Sequence, residues 1–179
     1  EIAKTPSDKW LAPVLETATA HLKGQGIKSD TAEKIAQPTS PLKGEALTFF
    51  KKGHEVYSRE GHCITCHQSD GKGLPAAMFP PLAGTKWING SEERLTKLTL
   101  HGLLGPIEVK GKKYPGQVPM TAFQQLSNEE IAAVLTYVRN TFSNKAPMIT
   151  PAKVAEVRKA TKAQNGFLAP ADLLEEHPN

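Results

Sequence analysis

Apolar residues return at helical spacing in several stretches of this chain. Trp10, Leu11, Val14, Leu15, Ala18 and Leu22 predict a helix from Ser7 or Asp8 to about Leu22, weakened at its start by Pro13 and ended by Gly24 and Gly26. A second, near Lys43 to Ser58, places Leu47, Phe50 and Tyr57 on or near one face with Gly53 inside it. An internal glycine costs about 1 kcal/mol relative to alanine, and the expected compensation is close approach of another helix. A third covers Ser91 to His101, with Ser91 as N-cap, Leu95 and Leu98 inward, and Leu100 a further candidate. The clearest helix follows Ser127-Asn128-Glu129-Glu130, a capping box, with Ile131, Val134, Leu135 and Val138 at i, i+3, i+4 and i+7. Tyr137 falls beside that face, where it could meet the backbone at Gly53.

Thr150-Pro151 is an N-cap followed by proline at the first helical position, and starts a short helix to about Ala163. Asn165-Gly166 breaks it, and Ala169-Pro170 begins a final turn ending near Glu176. Strand patterns are confined to two short extended runs around Lys110-Gly111, a small hairpin. The Pro38 to Pro41 stretch reads as a linker. These marks divide the chain into a helical extension and linker (1–41), a central domain (42–144) and a C-terminal extension (145–179), in an all-α fold. There is no internal repeat and no low-complexity segment.

Composition narrows the possibilities. A chain of 179 residues with 39% hydrophobic residues suits one modest core with extensions. Its net charge of +4 is too mild and too dispersed for a nucleic-acid surface, yet suits docking to an acidic protein. No stretch approaches the roughly 20 apolar residues of a membrane span, and no signal peptide stands at the start.

The chemistry is concentrated in Cys63-Ile64-Thr65-Cys66-His67, which contains both cysteines of the chain. Two cysteines spaced by two and followed at once by histidine form the spacing of a c-type haem attachment site. The thiols add across two haem vinyl groups, and the tethered histidine reaches the iron from one face. The competing readings are a disulfide, half a zinc site and a dithiol redox pair. His54, His62 and His101 supply no second pair at zinc spacing, and His67 has no role in dithiol exchange. With six Phe, three Tyr and two Trp, a buried macrocycle would also serve as much of the apolar centre. Thioether attachment takes place outside the cytoplasm, so the expected location is the periplasm, with a leader removed.

The order of a helix with Gly53 and Tyr57, Cys63 to His67, Pro80-Pro81-Leu82-Ala83-Gly84, Met120, and a capped helix with Tyr137 resembles a class I cytochrome c over Leu42 to Asn144. The resemblance implies an all-α fold around one covalently bound haem c, with both terminal extensions outside the family pattern. It implies that Pro80, in the family's Pro-x-Leu-x-Gly segment with Leu82 and Gly84, offers its carbonyl to the iron-bound His67; Pro81 is an addition to that pattern, and the alternative is a plain Pro-Pro turn. It selects Met120 as sixth ligand, over Met78, Met148 and His101. Met120 could instead be loop packing. Trp87 and Arg94 are candidate partners of the haem propionates. His54 and His62 are expected at the surface.

Two filled axial positions leave none for a substrate, which implies a one-electron carrier rather than an enzyme. The segment from Gly102 to Gly116 resembles the cytochrome domains attached to, or serving, periplasmic quinoprotein and sugar or alcohol dehydrogenases, with a terminal oxidase or other protein as acceptor. Lys72, Lys86, Lys110, Lys112 and Lys113 could steer an acidic partner to the haem edge. The alternatives are a haem enzyme or gas-binding protein with an open or labile sixth position, and a relay domain excised from a larger dehydrogenase.

Overall fold

The computed structural model describes residues 39–74 and 79–178. The helix expected over Ser7 to Leu22 and the competing Met78 lie outside them. Among the described residues the elements run α1 (Gly44–Tyr57), α2 (Cys63–His67), α3 (Lys86–Asn89), α4 (Glu92–His101), β1 (Ile107–Val109), β2 (Lys112–Tyr114), α5 (Asn128–Arg139), α6 (Pro151–Ala160) and α7 (Pro170–Glu176). The architecture is helical, as the patterning predicts, with one small antiparallel hairpin.

The main helix pair is α1 on α5. Gly53 makes it possible: a Cβ there would run into the Ala133 carbonyl and come 2.7 Å from Tyr137 Cβ. The cost of a helical glycine is thus offset by backbone contact that no side chain would permit. Around this crossing Tyr137 packs on Phe50 and Tyr57, with ring centroids 5.1 and 5.2 Å away. Phe142 closes the cluster at 5.5 Å from Tyr57 and 5.7 Å from Tyr137.

Local signals set the other boundaries. Both capping-box bonds form at α5, Glu130 N donating to Ser127 Oγ at 3.2 Å and Ser127 N to Glu130 Oε2 at 3.1 Å. Arg59 reaches the same glutamate at 2.7 Å, joining the end of α1 to the start of α5. Ser91 caps α4 by accepting from Arg94 N, and Thr150 caps α6 by accepting from Lys153 N. The hairpin turns at Lys110 and Gly111, with φ of 54° and 76°, the pair of positive values that a two-residue primed turn requires. Helix α3 carries no strong periodicity; Thr85 caps it, its hydroxyl accepting from Ile88 N.

The C-terminal section belongs to the same body. Helix α6 packs on α4 and α5 and buries Val154 and Val157, while α7 buries Leu173.

Candidate functional site

One turn of helix gathers the attachment motif. Positions i, i+3 and i+4 share a helix face, so α2 presents Cys63, Cys66 and His67 together. Both cysteines are free thiols. Burial pushes the Cys63 thiol up to about 12 and raises that of Cys66, the opposite of the lowered value that a reactive dithiol needs. Among the described residues no group of three His, Cys, Asp or Glu could hold a metal ion. The zinc and redox readings therefore find no support.

His67 Nδ1 lies 2.9 Å from Pro80 O. With Nδ1–H donating to that carbonyl, Nε2 keeps its lone pair for a metal. Burial lowers the His67 pKa, and the carbonyl bond raises it in part, so the ring is held neutral, as ligation requires. The Pro80 segment is itself fixed. Leu82 N and Ala83 N both donate to Gly71 O, at 2.8 and 3.1 Å. Gly73, at φ 68°, lies under the Phe79 and Pro80 carbonyls where a Cβ would clash. Gln68, immediately after His67, adopts φ 63° and ψ 166°, a region nearly restricted to glycine. Its carbonyl accepts from Tyr57 OH at 2.6 Å.

These groups face a cleft of about 1290 Å³, open mouth included. Its walls are mostly apolar and come from several elements of the central domain: Leu95 and Leu98 of α4, Val109 and Tyr114 of the hairpin, and Val134, Leu135 and Val138 of α5. Cys63, Cys66, His67, Pro80, Leu82, Trp87 and Met120 all line it. Met120 is held by a backbone bridge to Leu103, with Met120 N donating to Leu103 O at 2.9 Å and Leu103 N to Met120 O at 3.2 Å. Two free thiols, an imidazole with one nitrogen engaged and a thioether, around a large apolar cleft, fit a covalently attached haem.

A cytochrome c family profile matches residues 50–142. The chain belongs to the cytochrome c family. It is 42% identical to cytochrome c-552 of Thermus thermophilus over 113 residues, 60% of this chain and 82% of that protein. It is 35% identical over 109 residues to the cytochrome c subunit of a quinone alcohol dehydrogenase of Gluconacetobacter polyoxogenes, 59% of this chain and 22% of that subunit. The fructose dehydrogenase cytochrome subunit of Gluconobacter japonicus is 30% identical over 131 residues, 72% of this chain and 26% of that subunit. The cytochrome therefore carries one covalently bound haem c and serves haem-based electron transfer, and the resemblance to dehydrogenase cytochromes is borne out by these relatives.

Several residues stand elsewhere than the sequence suggests. Arg94 does not line the cleft of the cytochrome. It is fully buried, with Nη1 donating to His177 O at 2.6 Å and Nη2 to Lys86 O at 2.9 Å, because α7 closes over it. Its guanidinium lies 5.0 Å from the centre of the Trp87 ring. Trp87 is a wall of the cleft, but its Nε1 donates to Glu108 O at 3.0 Å. His54 and His62 are not surface side chains. His54 is buried edge-on to Tyr137, and His62 lines the cleft with its ring 5.4 Å from Phe123. His101, the rival ligand, points away from the cleft into bonds with Thr161 Oγ1 at 2.7 Å and Gln124 Nε2 at 3.1 Å.

Asn144 is a further residue of the site. It is buried beside the Pro80 segment, where its amide bonds to four partners from three parts of the chain. A lone asparagine after a helix carries no spacing signal.

Proposed function

We propose that this cytochrome shuttles single electrons between redox proteins in the periplasm, and that His67 and Met120 are the residues that would hold its haem iron. The observation that carries the reading is that Cys63, Cys66, a carbonyl-oriented His67 and Met120 all line one apolar cleft. Bound there, the haem supplies an iron that alternates between ferric and ferrous states. Cys63 and Cys66 anchor the group covalently. Pro80 O keeps the proton of His67 on Nδ1 and fixes the ring's orientation. Leu82 and Trp87 wall the cleft, and the buried Arg94 guanidinium backs the Trp87 ring from 5.0 Å. Met120, a neutral and soft ligand, favours the reduced iron and raises the potential.

A donor such as a periplasmic dehydrogenase and an acceptor such as a terminal oxidase fit this chemistry. Lys72, Lys86, Lys110, Lys112 and Lys113 are all exposed and able to steer an acidic surface. The likeness to dehydrogenase subunits also favours a second reading, a relay held within a larger assembly. Size-exclusion mass of the native protein separates the two.

The test is the oxidised spectrum. Sulfur-to-iron charge transfer in the far red is expected in the unaltered protein, is lost in Met120→Ala, and persists in Met148→Ala. A high-spin spectrum of the unaltered protein would instead establish an open sixth position, and with it ligand-binding or peroxide chemistry.

A further inference from the structure

The stretch that leads from Met120 into α5 is gripped at both ends by the C-terminal section. At the near end, Leu103 lies between two segments of the chain, around Met120 and Leu168. One side bridges Met120; on the other, Leu104 N donates to Leu168 O at 3.0 Å and Leu168 N to Gly102 O at 3.2 Å. Gly102 is squeezed between these neighbours, since a Cβ there would strike the Met120 carbonyl and come 2.7 Å from the Phe167 ring. At the far end, Arg158 of α6 spends all three guanidinium nitrogens on the same stretch. Nη1 donates to Gln124 O at 2.9 Å, Nη2 to Leu126 O at 2.8 Å, and Nε to Asn128 Oδ1 at 2.9 Å. Between the ends, Gln124 Nε2 donates to His101 Nδ1, whose Nε2–H then reaches Thr161 Oγ1.

We propose that residues 158–168 form a clamp that keeps Met120 at the iron, with Arg158 and Phe167 as positioning residues. The inference rests on the reading of Met120 as sixth ligand. A thioether carries no charge and binds ferric iron weakly, so its retention in the oxidised state depends on how rarely the surrounding stretch opens. The ion pairs made by the C-terminal section, such as Lys153 with Glu156 and Lys97 with Glu176, touch none of this stretch.

The test is imidazole binding to the oxidised full-length holoprotein, because added imidazole reaches the iron only when the methionine leaves. Amide exchange at Met120 and Phe123 is read in parallel, the latter amide donating to Thr99 O at 3.0 Å. Arg158→Ala should bind imidazole about tenfold more tightly and exchange both amides faster by a similar factor, the loss expected for charged hydrogen bonds at the order of 1.4 kcal/mol. Arg158→Lys and Phe167→Ala should show smaller increases in the same direction, and Lys153→Ala none. Imidazole affinity and exchange equal to the unaltered protein in these variants would overturn the clamp. If Arg158→Ala does not yield folded holoprotein, Arg158→Lys and Phe167→Ala decide alone. Should the unaltered protein bind imidazole as readily as Met120→Ala, the ligand assignment itself fails, and the exchange rates still judge the clamp.

Discussion

Asn144 Oδ1 accepts the Gly84 amide at 2.8 Å across 60 positions of sequence. The same oxygen takes Asn89 Nδ2 at 2.7 Å, while Asn144 Nδ2 donates to Leu82 O at 3.2 Å and Val138 O at 2.7 Å. One buried amide thereby fastens the Pro80–Gly84 segment, and through it the orientation of His67, to α3 and the end of α5.

Asn144→Ala leaves several of these buried groups unpaired. Stability should fall by about 2 to 3 kcal/mol, measured by guanidinium unfolding followed through the haem absorbance. An unchanged midpoint would show that water replaces the amide.

Gly53→Ala places a methyl group into the Ala133 carbonyl. Because the obstacle is backbone, α1 and α5 must separate, and a cost of about 3 kcal/mol is expected. Thermal unfolding checks it: the variant should melt well below the parent while still attaching haem.

Gln68→Gly tests the opposite sign. Glycine reaches φ 63° and ψ 166° without the penalty that glutamine bears, so the variant should gain about 1 kcal/mol in chemical unfolding. A loss would mean that the contact of Gln68 Nε2 with Thr65 O matters more than the strain.

His101 sets a pH dependence. Burial, aided by the Arg158 charge, holds its folded pKa below the ordinary 6.5. The unfolded chain therefore takes up the proton first as pH falls. The stability this group permits is complete above 6.5 and declines as pH drops below that value, levelling off once the folded form is protonated as well. Comparing unfolding of the parent and His101→Gln between neutral and mildly acidic pH should show a shallower decline in the variant.

What was legible in the sequence is what local chemistry determines. Ser127 with Glu130, Ser91, and Thr150 with Pro151 mark their helix starts because capping is settled within a few residues. Gly53 could be read as a helix crossing because only a close backbone neighbour explains its place. The Cys63–His67 motif announces its cofactor because thioether attachment demands that spacing. Residues whose role depends on who arrives from far along the chain were not legible. His54 and His62 look like surface side chains until Tyr137 and Phe123 come against them. Arg94 looks available to a ligand until α7 covers it, and Asn144 means nothing before Gly84 is beside it.

The crossing of α1 and α5 has a further meaning as a matter of topology. Cys63, His67, Pro80 and Met120 all fall between Gly53 and Ala133, so the residues proposed to hold the haem occupy a single ring of chain that this crossing closes. Closing a ring of about 80 residues costs about 4 kcal/mol in chain entropy before any distant contact rewards it. A haem anchored at Cys63 and Cys66 would give the apolar residues around the ring a common surface and so shorten that search. Folding of this chain should thus be governed by how quickly the ring closes, and its lifetime by how seldom the Gly53 crossing comes apart.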